Sequence, residues 1–367
     1  MAHISDGKLL SRPHSRRGFM LAAGAALMFA LPAQADPFAG RSGALANRLR
    51  RKNDGMGVNV IDNIRLTDPS RPRNFLVRAY VPTRPGQYPT IIFSHGFGAD
   101  MAAFEQTSRD WAARGYVVIH PTHADSLRYS DPAAPPGGKA ALLGSLAASR
   151  QQRSPRARSA ANGNSALVEH LENPFYLASR IADIAFLINC LDAGRGIDRA
   201  VHDRVKRGSY GMAGHSYGAY TTQVLAGARL KTAERNPSPQ LTSRFAAFMA
   251  ISGQGSGRLD LTEQSFATIK QPFFAITGTQ DTGADGETPE WRLEPYYKSA
   301  PGMKFAGIVQ GFTHMSFDAD DENGAALRVM QTDFWDSFLK GDRQANNQLL
   351  ADARRSSQTN TIWLRTR

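Results

Sequence analysis

The chain has 367 residues, 41% of them hydrophobic and 21% charged, with 44 Lys and Arg against 32 Asp and Glu for a formal charge of +12. This balance excludes an intrinsically disordered, collagen-like or repeat-array protein and leaves apolar material for a sizeable core. A single cysteine, Cys190, excludes an intramolecular disulfide.

Residues 1–35 read as a cleaved export signal. Ser15-Arg16-Arg17-Gly18-Phe19-Met20 carries paired arginines, Met20 to Leu31 is apolar, and Ala33-Gln34-Ala35 has the small-x-small cleavage pattern. Twelve apolar residues fall short of the roughly 20 that span a bilayer, so no stable membrane anchor is expected. The pattern resembles a bacterial twin-arginine signal, whose route carries folded proteins, and it implies a periplasmic or secreted location. Removing it takes away Lys8, Arg12, Arg16, Arg17 and Asp6, which leaves a charge of +9. Residues 36–54 form a basic leader, with Arg48-Leu49-Arg50-Arg51-Lys52 and little apolar periodicity, and are expected to be flexible.

Residues 55–367 are then expected to form one domain. Phe75, Val77, Ala79 and Val81 alternate as a half-buried strand, and Thr90 to Phe93 is a short apolar run of the kind that makes a buried one. Met101 to Arg114 reads as a helix and Tyr116 to Ile119 as a strand, the strand-helix-strand unit of a parallel sheet. Further on, helices are expected over Asn173 to Leu191, Ala219 to Leu230 and 325–340, and strands over Ser209 to Ala213, Ala246 to Ser252, Pro272 to Gly278 and Met303 to Val309. Cys190 falls in an apolar helical run and reads as buried packing rather than a reactive thiol. This alternation predicts a doubly wound α/β fold with a mostly parallel sheet. A long stretch at about 124–172 interrupts it, rich in Pro, Gly and Arg, and reads either as a lid or as a flexible insert. Its arginines at 150, 153, 156 and 158 lack interleaved aromatics, so a solvated face is expected and no nucleic-acid partner.

Several motifs fall where the predicted strands end. Ser94-His95-Gly96-Phe97-Gly98 follows an early strand and has the form of a loop that donates N–H groups to an oxyanion, with Phe97 as donor and its ring a wall of an acyl pocket. His95 is expected to hold that loop by hydrogen bonding. His120, His123 and Asp125 collect metal-ligand residue types, but their spacing matches no standard zinc pattern. His123 and Asp125 are expected instead to line the mouth of the site, and no metal is expected. Gly214-His215-Ser216-Tyr217-Gly218 lies between a strand and a helix, the context of a nucleophile elbow, in which the Tyr217 N–H supplies the second oxyanion donor. Gly253 to Gly257 lacks the spacing of a phosphate or dinucleotide loop and reads as a flexible turn beside the pocket.

A serine hydroxyl needs a base to take its proton, and the base needs an orienting acid. Asp281 lies just beyond the carboxyl end of a predicted strand and is the expected acid, with Asp285 in the same loop as the alternative. His314, in Gly311-Phe312-Thr313-His314-Met315-Ser316-Phe317, is the histidine that follows both Ser216 and Asp281.

These stretches, together with His123-Ala124-Asp125-Ser126 and the helix containing Arg180 and Asp183, resemble the α/β-hydrolase superfamily. Within it they are similar to the platelet-activating-factor acetylhydrolase-like and dienelactone-hydrolase-like branch. The resemblance implies cofactor-free ester hydrolysis through an acyl-enzyme, with Ser216 as nucleophile, His314 as base and then acid, and Asp281 as orienting carboxylate. Phe97, Tyr217 and His123 are the expected substrate-binding residues. Dienelactone hydrolases use cysteine where this chain has Ser216, so their ring-opening reaction does not carry over. The Arg-rich insert from about 137 to 166 has no counterpart in the branch, and bacterial polyester hydrolases are a looser likeness. The expectation is an exported serine carboxylesterase acting on a small-molecule or polymeric ester. The alternatives are a hydrolase of an anionic polymer, polyester or phospholipid-like ester, suggested by the +9 charge, and a catalytically inactive binding protein on the same fold.

Overall fold

The computed structural model describes residues 56–129, 170–283, 286–356 and 362–367. The expected signal and leader, most of the insert and Asp285 lie outside the described residues.

Nine strands form one mixed sheet in the order β1-β2-β4-β3-β5-β6-β7-β8-β9. They are β1 (Val58–Asp68), β2 (Arg73–Pro82), β3 (Tyr88–Ser94), β4 (Val117–Pro121), β5 (Val205–His215), β6 (Phe245–Ile251), β7 (Phe273–Gln280), β8 (Lys304–Thr313) and β9 (Ile362–Thr366). From β4 through β8 every neighbouring pair is parallel, and antiparallel strands flank this centre: β1 and β2 on one side, β9 on the other. The fold is α/β with a mostly parallel sheet, as the alternation predicted.

Because successive side chains point to opposite faces of a strand, the sheet builds two cores. Ile92, Met212, Ala250 and Ala275 pack on one face with helix α2 (Pro174–Ala193) and helix α4 (Tyr217–Leu225). Ile91, Phe93, Ala213, Met249 and Phe274 pack on the other, against α1 (Glu105–Ala113) and α7 (Glu322–Leu339). Short helical turns at α3 (Arg199–His202), α5 (Pro239–Thr242) and α6 (Glu294–Lys298), and the helix α8 (Arg343–Arg355), complete the described elements of this kind. The N-terminus of α2 carries its own start signal: the Asn173 side chain accepts from the Phe175 N–H and Pro174 occupies the first turn, while Gly194 in left-handed conformation ends the helix. Its 20 residues are apolar enough by composition to cross a membrane. In the fold, Tyr176, Leu177, Ile184, Leu187, Ile188 and Leu191 are buried in the core, with Cys190 buried among them.

Besides the short helical turns, two described strands and one described helix were not expected. β1 has a register break between Ile61 and Ile64, with Asn63 at φ 56°, which interrupts the alternation that would have marked it. α8 buries only Ala345 and Leu349, and β9 is a five-residue edge strand. The expected helix from Met101 begins at Glu105, after Phe104 adopts φ 59°.

The parallel strands share a direction, so β3, β5, β6, β7 and β8 end at the same edge. Open α/β sheets place their sites there. His95, Ser216, Ser252, Asp281 and His314 are the residues that immediately follow those five strands.

Candidate active site

Ser216 sits between β5 and α4 with φ 56° and ψ −117°, a strained conformation for a residue with a side chain. The crossing is tight enough to require glycine on either side. A Cβ on Gly218 would lie 1.9 Å from the Ser94 carbonyl oxygen, and one on Gly214 would lie 2.3 Å from that of Gly218. The elbow is thus wedged against the end of β3, and the Ser216 side chain is left only partly buried.

Ser216 Oγ lies 3.0 Å from His314 Nε2, and His314 Nδ1 lies 3.0 Å from Asp281 Oδ1. Asp281 is buried, and burial alone would raise its pKa. The hydrogen bond from His314 and the charge of Arg292 together hold it below the usual carboxylate range. Being an acceptor only, the ionised carboxylate places the proton of neutral His314 on Nδ1 and leaves Nε2 free to accept from the serine.

Two neighbours of this chain of contacts were missed. Ser252, at φ 54°, brings its Oγ within 2.7 Å of His314 Nδ1 and hydrogen-bonds Asp281. Buried Arg292 donates from Nε to the Asp281 carbonyl, from Nη1 to the carbonyls of Ser252 and Gly253, and from Nη2 to that of Thr282; its Nε also lies 3.0 Å from Asp281 Oδ1. The position of Ser252 just past a buried strand was available in the sequence as a signal. Arg292 lies in a short turn, Pro289–Leu293, far from any motif. His215 adds a further brace: its ring is buried and its Nε2 donates to the His314 carbonyl at 2.8 Å. Burial, with His314 beside it, pushes the His215 pKa down to about 3, so the ring is neutral.

The loop Ser94–Gly98 is held from beneath. His95 Nε2 accepts from the His123 N–H at 3.0 Å, so its proton is on Nδ1, which donates to the Gly96 carbonyl at 2.7 Å. Burial and the charge of Arg180 keep the His95 pKa well below its ordinary value. The loop-holding role expected of His95 agrees with these contacts. Gly96 faces the elbow, where a Cβ would lie 3.5 Å from that of Ser216. The Phe97 ring meets Tyr176 and Tyr217 edge-on, each at 5.2 Å.

The placement expected for His123 and Asp125 is corrected. Both are buried, and they stand beneath the loop rather than at the mouth of the site. His123 Nδ1 donates to Asp183 Oδ2 at 3.2 Å, and its Nε2 accepts from Ser94 Oγ at 3.0 Å. Asp125 pairs with Arg180 and also accepts the Gly98 N–H. The first residues of the supposed insert are therefore part of the scaffold. The Tyr217 ring is likewise inside, 1% exposed between Phe97, Tyr220 and the Arg180 guanidinium, so its side chain makes no substrate wall. His120 turns elsewhere, with Nε2 2.7 Å from Ser108 Oγ, so it does not converge with His123 and Asp125. The loop at Gly253 to Gly257 is pinned rather than loose: Trp291 Nε1 donates to the Ser256 carbonyl and the Ser256 N–H donates to Glu294.

The sheet, its helices and the elbow between β5 and α4 give the chain the α/β-hydrolase fold. Residues 66–130 match the model of the family described as platelet-activating factor acetylhydrolase, isoform II. The match covers less than a fifth of the 367 residues, and with the mixed α/β sheet it marks a likeness to the platelet-activating-factor acetylhydrolase-like α/β hydrolases. A search of curated proteins finds no match.

Proposed function

We propose that the protein is a serine carboxylesterase that cleaves acyl esters through an acyl-enzyme. The observation that carries this reading is the pair of hydrogen bonds through the His314 ring, Ser216 Oγ to Nε2 and Nδ1 to Asp281 Oδ1, both 3.0 Å. In the proposed reaction His314 Nε2 accepts the Ser216 proton as the oxygen attacks the ester carbonyl carbon. Asp281 supports the imidazolium that results. The carbonyl oxygen becomes an oxyanion, and the N–H groups of Phe97 and Tyr217 are its donors. Tyr217 opens α4, and the N–H groups of a helix's first turn have no partner within the helix. His314 then donates its new Nε2 proton to the leaving alkoxide. In the second half His314 takes a proton from water, the hydroxide attacks the acyl carbon, and Ser216 leaves with a proton returned by His314.

We assign the half-buried Phe97 ring, packed against Tyr176 and Tyr217 on the proposed donor loop, as a wall of a pocket for a small or medium acyl group. The name of the matched family favours a second reading, an acetyl ester of a phospholipid-like alcohol. The arginine pair and the apolar stretch in residues 1–35 support export to the periplasm or beyond. The test is hydrolysis of nitrophenyl esters from acetyl to decanoyl by the protein and by Ser216→Ala. Turnover that disappears in the variant, with phosphonylation of Ser216 and loss of fluoride on treatment with a fluorophosphonate, supports the serine mechanism. Equal activity in both proteins overturns it, and the chain-length optimum separates the acetyl reading from a longer-acyl one.

A further inference from the structure

Arg180, on α2, is fully buried, and its guanidinium is spent on the loop after β3. Nη1 donates to the His95 carbonyl at 2.6 Å and to Ser94 Oγ at 3.0 Å, and Nη2 donates to the Gly96 carbonyl at 3.3 Å. Nε and Nη2 grip Asp125 in a two-pronged pair at 2.8 and 2.6 Å, and Asp125 in turn accepts the Gly98 N–H at 3.0 Å. The face of the same guanidinium lies 4.9 Å from the centre of the Tyr217 ring. One cation therefore touches both segments that would supply oxyanion donors.

The consequence follows from peptide geometry. A trans peptide is planar, and its C=O and N–H point in opposite directions. The Gly96 carbonyl is drawn inward by Arg180 Nη2 and by His95 Nδ1–H. The N–H of the same peptide belongs to Phe97 and must then point outward, on the side where Gly96 faces Ser216.

We propose that Arg180 is a positioning residue that aims the Phe97 N–H at the oxyanion, with Asp125 fixing the fork and His95 sharing the Gly96 carbonyl. This rests on the serine mechanism proposed above. Asp125 is what makes the arginine usable: a buried guanidinium without a carboxylate would be too costly to hold, and the bidentate pair leaves its remaining N–H groups directed at the loop. Lysine, with one ammonium and no fork, cannot serve Asp125 and two carbonyls in the same geometry.

The test uses Arg180→Lys in the full chain, and His95→Phe as a second variant that removes one donor to the Gly96 carbonyl while leaving Arg180 in place. For each, kcat and KM on nitrophenyl acetate are measured beside the Ki of a trifluoromethyl ketone, which forms an anionic hemiketal on serine, with near-UV circular dichroism to verify packing. A misaimed oxyanion donor costs about 10²- to 10³-fold in kcat. That loss is expected for Arg180→Lys, with a loss of about tenfold for His95→Phe, KM changing little and the ketone weakening by the same factor as kcat/KM. A folded variant whose kcat stays within about threefold of the parent, or one that loses KM alone with ketone affinity intact, overturns the assignment. If Arg180→Lys fails to fold, His95→Phe decides by the same criteria. Failure of the underlying reading looks different: the parent protein itself then neither binds the ketone nor loses activity as Ser216→Ala.

Discussion

Stability should fall steeply as the pH drops below about 6.5, because four histidines are buried neutral: His95, whose pKa lies well below its ordinary value, and three others. His120 and His215 are pushed down to about 3 and His123 to about 4, against an ordinary value of 6.5. Burial is the first cause for each. The charge of Arg78 adds to it for His120, Arg180 for His123 and His314 for His215, and the hydrogen bond of His123 to Asp183 offsets part of its shift. The unfolded chain binds protons at these positions as the pH passes 6.5, while the folded chain stays neutral until about 4 or 3. The unfolded state therefore holds more protons through that window, and stability declines as the pH falls. At pH 5 each of these last three costs about 2 kcal/mol, about 6 kcal/mol together, and His95 adds to it in the same direction, set against a usual total of about 5–15 kcal/mol. Buried Asp125 and Asp183 act in the same direction, but only near and below their ordinary value of 3.8. Urea-unfolding midpoints between pH 7.5 and 5, read at constant slope, measure the effect. His120→Gln, on β4 and bonded to Ser108, should remove about a quarter of the pH dependence. A stability that stays flat within about 1 kcal/mol from pH 6.5 to 5 would refute the reasoning.

Gly218→Ala forces a methyl group to 1.9 Å from the Ser94 carbonyl oxygen. It should yield insoluble protein, or soluble protein that fluorophosphonate no longer labels, whereas normal labelling would count against the tight crossing. Arg292→Lys loses most of the four carbonyl contacts that hold the Asp281 and Ser252 segments. Charged hydrogen bonds of this kind are worth about 1.5–3 kcal/mol, so kcat should fall about 10- to 100-fold, with thermal unfolding run alongside to separate positioning from collapse. Ser252→Ala leaves Asp281 to orient His314 without the Ser252 hydroxyl and should lower kcat by about tenfold with KM unchanged. Because His120, His123 and Asp125 are bonded to Ser108, Asp183 and Arg180 rather than to a shared centre, dialysis against EDTA should leave ester turnover unchanged.

The parallel centre of the sheet was legible because strands buried on both faces read as unbroken apolar runs, such as Thr90 to Phe93 and Phe273 to Ile276. Ser216, Asp281 and His314, to which the proposed mechanism gives the roles of nucleophile, acid and base, could be singled out for a related reason: each follows such a run, and their order along the chain suits that chemistry. Elements at the margin were harder to read, since β1 breaks its own period at a bulge and α8 is mostly polar around its circumference. The misplacement of His123 has a different origin. Following a strand's carboxyl end tells which edge a residue occupies, but not whether its ring turns toward solvent or under the neighbouring loop. That choice is made by Asp183 and Arg180, which arrive from a helix more than fifty residues later. Arg292 was invisible because its partners are backbone carbonyls, which carry no residue-specific pattern.

Helix α2 is apolar over a length that would suit a lipid bilayer, and in the fold its buried face lies against the sheet, with Arg180 neutralised by Asp125. A chain threaded unfolded through a translocation pore would present these 20 residues to lipid before the sheet existed to receive them. A chain carried across already folded keeps the segment hidden. Under the export proposed above, the same helix that braces the candidate site bears on the route: folding first is the one on which its hydrophobic length creates no competing destination.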